Sequence, residues 1–232
     1  MFSPLRDPII SLLSPRECSV CGLHVERLDL GAACLTCWAQ TRFFTPETKL
    51  CSKCGAFFPE RSAPKSLRCG KCEGHSYDRA AAIGIYEKAL AATVIQLKTS
   101  LKAVIENAGF SDAEIIVPTP LSRRRLLERG FNQAETIGIE LGKVMGIPVD
   151  TLSLERKLLT PIHRVAMDMK AREMTVKNAF SVKRPKFIAG RSVLLVEDVL
   201  TSGSTASYCA SVLKKSGAAE VNVFTLARAI SD

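Results

Sequence analysis

Ser192-Val193-Leu194-Leu195-Val196-Glu197-Asp198-Val199-Leu200-Thr201-Ser202-Gly203-Ser204-Thr205 is the stretch on which the reading of this chain turns. Ser192 to Val196 predicts a buried strand that runs directly into two adjacent carboxylates, then a hydroxyl-rich loop with one glycine, then a helix from Thr205 to Lys215. The loop Thr201 to Thr205 can turn backbone N–H groups and hydroxyls toward a monophosphate, while the following helix presents its electropositive end. Gly203 permits close backbone approach. Glu197 and Asp198 would repel that phosphate, so they are expected one sugar-length away, accepting hydrogen bonds from ribose hydroxyls. The plain alternative is a strand-turn-helix junction whose acids complement the helix dipole. Neither a Walker A loop nor GxGxxG is present, which argues against P-loop hydrolase and dinucleotide-binding readings.

On the N-terminal side of this segment, Ala80 to Tyr86 reads as a strand. Leu90, Val94, Leu97, Leu101 and Val104 follow at helical spacing, and Gly109 closes that helix. Glu114 to Val117 is a short buried strand ending in Pro118-Thr119-Pro120, and a basic loop then leads to Asn132, the expected N-cap of a helix carrying Ile137, Leu141 and Met145. Val149 to Leu154 reads as another strand, Arg156 to Lys177 as a polar, basic flap, and Val221 to Leu226 as the last strand. This alternation predicts an α/β fold with a mostly parallel sheet covered on both faces. Ligands in such folds bind at the carboxyl ends of the strands, so the loops at Pro118 and Glu197 are the expected site.

Eight of the nine cysteines form four CxxC pairs, Cys18/Cys21, Cys34/Cys37, Cys51/Cys54 and Cys69/Cys72. Residues 1–78 hold all eight and lack long apolar periodicity. They read as a small cysteine-rich domain in front of a larger one at 79–232. Two CxxC knuckles supply the four soft donors of a tetrahedral zinc site, and the simplest assignment is two successive structural ions; an interleaved pairing, disulfides or an iron-sulfur cluster are the alternatives. Both sites look closed, which argues against catalysis by the metal. His24 and His75 read as surface residues, with replacement of a metal ligand as the alternative, Cys209 as a buried small hydrophobe, and Trp38, Phe43 and Phe44 as apolar filler between the zinc sites, with base stacking as the alternative.

Of 232 residues, 47% are hydrophobic and 24% charged, which excludes a disordered or collagen-like chain. The formal charge is +9, and eight thiolates with two zinc ions bring it to +5. The surplus is compatible with phosphate-rich ligands, nucleic acid or an anionic surface. No apolar stretch approaches the roughly 18–20 residues needed to span a bilayer, and Met1 to Leu13 lacks the features of a secretory signal, so a soluble, cytoplasmic protein without membrane insertion is expected.

The strand, acid pair and Thr-Ser-Gly-Ser-Thr loop resemble the diphosphoribosyl-binding motif of type I phosphoribosyltransferases. The whole chain resembles the ComF family, in which a cysteine-rich zinc-binding N-terminus precedes such a domain. Pro118-Thr119-Pro120-Leu121 with Arg123-Arg124-Arg125, then Arg129-Gly130-Phe131-Asn132-Gln133, is similar to the family's second signature, and Lys98 and Asn178-Ala179-Phe180 extend the match. The resemblance implies a type I phosphoribosyltransferase-like mostly parallel sheet with a small N-terminal double zinc ribbon. It places Thr119, Pro120 and Lys98 with Thr201, Ser202, Gly203, Ser204 and Thr205 around phosphoribosyl pyrophosphate, with Glu197 and Asp198 orienting the ribose. Arg123 or Arg129 would neutralise the departing pyrophosphate, and a solvated basic loop is the plain alternative.

The implied hood is Arg156 to Lys177, with His163, Arg164, Lys170 and Arg172 facing phosphates on closure. His163 stands near a family glutamine, and a surface or packing role is its plainer reading. The stretch between Lys98 and Glu114 is shorter than the family's, a departure that favours binding over turnover. An active protein would hold magnesium with its diphosphate substrate and transfer phosphoribose to a nitrogen nucleophile. The rival is a non-catalytic competence protein that binds single-stranded DNA or DNA-uptake partners, motivated by the zinc knuckles and by nine Lys/Arg against two Asp/Glu over residues 156–186. An oligomer is compatible with either reading.

Overall fold

A computed structural model describes residues 16–27, 30–58, 68–92, 105, 109–157 and 179–229. Val193, Leu194, Leu195 and Val196 are all fully buried, and a run apolar on both faces is accommodated only by an interior strand. That strand, Ser192–Leu200, is β5. It lies between β6, Glu220–Arg228, and β2, Ile115–Pro118, and β1, Arg79–Ile85, lies beyond β6. All pairings in this β1-β6-β5-β2 sheet are parallel, with Val196 opposite Phe224 and Pro118. A separate antiparallel pair joins β3, Leu154–Arg156, to β4, Phe180–Val182.

Alternation along β5 assigns its two faces. Leu194 and Val196, with Ile116, Phe224 and Leu226, pack on Ile137 and Leu141. These last two belong to the helix Gln133–Met145 (α4), which starts where Asn132 accepts from the Ala134 N–H at 3.2 Å. Val193 and Leu195, with Val221 and Val223, pack on Ala206, Cys209, Ala210 and Leu213 of the helix Ser204–Lys215 (α5). Cys51, Cys54, Cys72 and Tyr77 share this second core, so residues of the last two cysteine knuckles are built into the sheet's packing. The short helices Leu35–Ala39 (α1), Lys88–Ala92 (α2) and Arg123–Arg129 (α3) complete the helical set among the described residues.

Several expectations are corrected. β5 continues through Leu200, so the carboxylates stand on the strand rather than beyond its end. Residues 149–154 do not form one strand: Val149 makes one parallel bridge to Ile116, the chain then turns because Asp150 accepts from the Leu152 and Ser153 N–H groups, both at 2.9 Å, and Leu154 opens β3. The basic loop contains α3, started by the Ser122 hydroxyl, which accepts from the Arg125 N–H at 3.3 Å. Arg156 belongs to β3, its guanidinium over the Phe180 ring at 5.4 Å, rather than to a flap. Residues 158–177 of the proposed hood, with His163, Arg164, Lys170 and Arg172, the residue Lys98, and the residues from Val94 to Val104 expected to be helical lie outside the described residues.

The cysteine-rich segment reaches the sheet at its outer strand. Phe44 N–H donates to Ile83 O at 2.8 Å, Ile85 N–H to Arg42 O at 3.0 Å and Ala80 N–H to Lys53 O at 2.7 Å. Gly84 makes this approach possible: a Cβ there would collide with the Arg42 carbonyl oxygen and stand 2.8 Å from Leu90 Cδ1. The open edge of β1 is thereby occupied. Among the described residues, no helix is long and apolar enough to cross a membrane.

Candidate phosphate site and metal centres

The eight paired cysteines gather as two successive clusters, Cys18/Cys21/Cys34/Cys37 and Cys51/Cys54/Cys69/Cys72, with the sulfurs of each within 4.8 Å of one another. The interleaved pairing is thereby set aside. Contacts such as Cys18–Cys37 at 3.8 Å, Cys21–Cys34 at 3.7 Å and Cys51–Cys72 at 3.7 Å match the edge of a zinc-thiolate tetrahedron, about 3.8 Å for bonds near 2.3 Å. They are far too long for disulfides.

The two clusters are built alike. Cys34 N–H donates to Cys18 Sγ at 3.3 Å and Cys69 N–H to Cys51 Sγ at 3.3 Å. The first knuckle of each cluster also closes through a bridge, Glu17 with His24 and Leu50 with Phe57. Burial pushes the Cys18 and Cys51 thiols up, but backbone N–H donors outweigh it and hold both at about 6. Burial and neighbouring sulfurs push Cys37 up to about 12 and Cys72 to about 11. Four thiolates at such distances need a cation to ionise together, and a closed four-sulfur set fits structural zinc. Trp38 stacks with Phe43 at 6.2 Å and Phe44 with Phe57 at 6.3 Å, joining the halves as filler.

At the carboxyl end of β5, burial raises the Glu197 carboxyl to about 8; the charge of Asp198 adds to this and Arg228 opposes it. Burial and then the Glu197 charge push fully buried Cys209 upward, which places Glu197 on the α5 side of the sheet. Asp198 accepts from the Val199 N–H at 2.8 Å. Among the described residues neither acid is in an ion pair, so they do not form a salt-bridged patch.

In the loop, Ser202 and Ser204 hydroxyls are 3.0 Å apart and the Ser204 N–H donates to Ser202 Oγ at 3.3 Å. The N–H groups of Thr201, Ser202 and Gly203 donate to nothing among the described residues. Gly203 caps α5 at φ +81, and a Cβ there would lie 2.9 Å from His75 Cε1 and 3.0 Å from Tyr77 Oη.

That contact was not legible in the sequence. His75 is half-buried, with Nδ1 2.6 Å from Tyr77 Oη, and so is neither a surface residue nor a cluster ligand. Burial, followed by the charges of Arg228 and Lys53, lowers its pKa. Ser76 N–H donates to Ser207 Oγ at 3.0 Å, fastening the segment after the second cluster to α5. Arg228, at the end of β6, is only 7% exposed, and its Nη2 donates to Cys54 Sγ at 3.7 Å.

Thr119 is brought to the acids, since its N–H donates to Val196 O at 2.8 Å and its carbonyl accepts from Asn132 Nδ2 at 3.0 Å. Pro120 is the next residue of this connection, which continues into α3. Arg123 and Arg129 stand on α3, all of whose residues are exposed, with Leu127 at 78%. Arg124 pairs with Glu128 at 2.7 Å. Thr205 lies in the first turn of α5.

Residues 9–73 match the double zinc ribbon domain. Nearly the whole chain is similar to DNA utilization protein YhgH of Escherichia coli K12, with 29% identity over 94% of this chain and 100% of the relative. Competence protein F of Haemophilus influenzae is 30% identical over 89% and 93%. Competence protein ComFC of Bacillus subtilis is 26% identical over 82% and 89%. Among solved structures, the glutamine phosphoribosylpyrophosphate amidotransferase from B. subtilis complexed with ADP and GMP superposes with TM-score 0.41 at 20% identity, over 60% of this chain and 26% of that one. An allosteric regulatory enzyme of purine biosynthesis gives TM-score 0.40 at 20% identity, over 57% and 25%. The chain spans about a quarter of the length of those two enzymes.

Proposed function

The chain belongs to the ComF family of competence proteins, and from that premise we propose that it serves DNA uptake or utilisation as a binding protein, with single-stranded DNA as its ligand. The observation that carries this reading is the exposed basic helix α3, which follows the Pro118–Pro120 connection at the sheet end where the N–H groups of Thr201 to Gly203 are unengaged. A phosphodiester chain engages such features without base readout, and its affinity is therefore salt-dependent. Arg123, Arg125 and Arg129 make no ion pair among the described residues. Three phosphate contacts predict a slope of about −2 for log affinity against log salt on a single strand. Fluorescence anisotropy with labelled oligodeoxythymidylate checks this, and replacing the three arginines by alanine should flatten the slope. No binding even at low ionic strength rejects direct DNA contact.

A second reading is favoured by the acid pair immediately before the loop: a phosphoribosyltransferase-like domain that binds phosphoribosyl pyrophosphate with magnesium. Glu197 and Asp198 would orient the ribose hydroxyls and Thr201 to Thr205 would hold the 5-phosphate, while Thr119, Pro120, Lys98 and either Arg123 or Arg129 would face the diphosphate. In transfer, a nitrogen lone pair forms the bond to C1, the C1–oxygen bond to pyrophosphate breaks, and the nitrogen gives up a proton. Calorimetry of the zinc-loaded protein with magnesium and phosphoribosyl pyrophosphate should show saturable heat that Asp198→Asn weakens. Binding unchanged in that variant counts against the ribose role of the pair. Pyrophosphate release in the presence of an amine or base distinguishes transfer from binding alone.

A further inference from the structure

Between the second cysteine cluster and the Thr201–Ser204 loop lies a cavity of about 410 Å³, lined by Lys71, His75, Thr201, Ser202, Ser204 and Arg228 together with parts of the cluster itself. No aspartate or glutamate is among its lining residues, whereas two cations and three hydroxyls are. Arg228 is buried, and only its Nη2 has an acceptor, Cys54 Sγ; Nε and Nη1 have no hydrogen-bond partner among the described residues. A guanidinium serving only as counter-ion to the cluster would leave two buried donor nitrogens unmatched, and a buried donor without an acceptor is strongly disfavoured. A phosphate has the oxygens and the charge to match them.

We propose that the second zinc ribbon and the Thr201–Ser204 loop jointly form a binding site for a phosphate monoester, with Lys71 and Arg228 supplying the positive charge. This rests on the reading of the loop as a phosphoribose cradle and extends it, because the site takes one wall from each domain. The cavity has room for a sugar as well as its phosphate. An adjoining cavity of about 590 Å³ shares Lys71, His75 and Ser204, adds Lys215 with the hydroxyls of Ser207, Tyr208 and Ser211, and likewise has no carboxylate lining. The monoester can therefore come from a free sugar phosphate or from the 5′-phosphorylated end of a DNA strand. Because Arg228 touches Cys54, occupancy of the cavity and of the zinc site are thermodynamically linked.

The test is calorimetry on the full, zinc-loaded chain with ribose 5-phosphate, inorganic phosphate, and 5′-phosphorylated or 5′-hydroxyl short oligodeoxythymidylates. Lys71→Ala and Arg228→Lys are each expected to weaken ribose 5-phosphate binding by about tenfold or more while zinc content stays at two per chain, as expected for a lost charge-assisted hydrogen bond. Ribose 5-phosphate should also slow chelator-driven zinc release. A preference for the phosphorylated oligonucleotide identifies a DNA end as the source, and ribose 5-phosphate binding without that preference identifies a free sugar phosphate. Should Arg228→Lys lose zinc, Lys71→Ala decides. If ribose 5-phosphate binds the variants as it binds the unmutated chain, and Asp198→Asn still weakens it, the two-walled site is wrong while the cradle reading stands. No binding of any of these phosphates by the unmutated chain overturns both.

Discussion

Removing zinc from the second cluster is expected to unfold much more than the ribbon. Cys51, Cys54 and Cys72 lie in the same buried cluster as Val193, Leu195, Leu213 and Val223, so this metal site is part of the core under the central strand. A structural zinc contributes about 10–16 kcal/mol of apparent binding energy, which matches or exceeds the whole stability of an ordinary domain, about 5–15 kcal/mol. Cys51→Ser or Cys72→Ser should therefore give insoluble protein, or a loss of cooperative melting by circular dichroism. Cys21→Ser should be much milder for the sheet. Cys21 is exposed, and its partners Cys18, Cys34 and Cys37 pack with Val25, Ala33 and Ala89 in a separate cluster. Equal melting of all three variants would contradict this asymmetry, as would a chelator-treated protein that melts like the loaded one.

Glu197→Gln is expected to stabilise the fold at alkaline pH while weakening a ribose-phosphate ligand. The folded carboxyl titrates at about 8 because of burial and then Asp198, against an ordinary value of 4.5. Between these values the folded chain keeps a proton that the unfolded chain releases, so stability is full below about pH 4.5, falls as pH rises, and is lost through pH 8. The difference amounts to roughly 4 kcal/mol, or on the order of 10 °C in melting temperature for a chain of this size. Glutamine stays neutral throughout, so the melting curves of variant and parent should coincide near pH 4.5 and separate progressively up to pH 8. Parallel curves across this range would mean that Glu197 is ionised in the folded protein.

How far the sequence could be read depends on the range of the interactions involved. Asn132 was legible as a cap because its partner, Ala134, is two residues away. Leu194 to Val196 announced an interior strand through their unbroken apolar run, and the CxxC spacing announced metal clusters. The continuation of β5 through Asp198 to Leu200 was not legible, because charged residues lower strand propensity and the pairing is set by Thr225 and Ala227 on β6. His75, Tyr77 and Arg228 escaped notice at the candidate site for a similar reason. They meet Gly203 and Cys54 only through contacts that span more than a hundred residues of chain. The local signal was an arginine closing a final strand that carries Val221, Val223, Phe224, Leu226 and Ala227.

The hydrogen bonds from residues 42, 44 and 53 to the outermost strand also matter to anyone who divides the chain. A fragment cut at residue 79 to isolate the larger half would leave that strand's amides and carbonyls bare to solvent, ready to zip onto a second copy. Multimers or fibrils formed by such a fragment would be an artefact of trimming, with no bearing on how the intact molecule behaves.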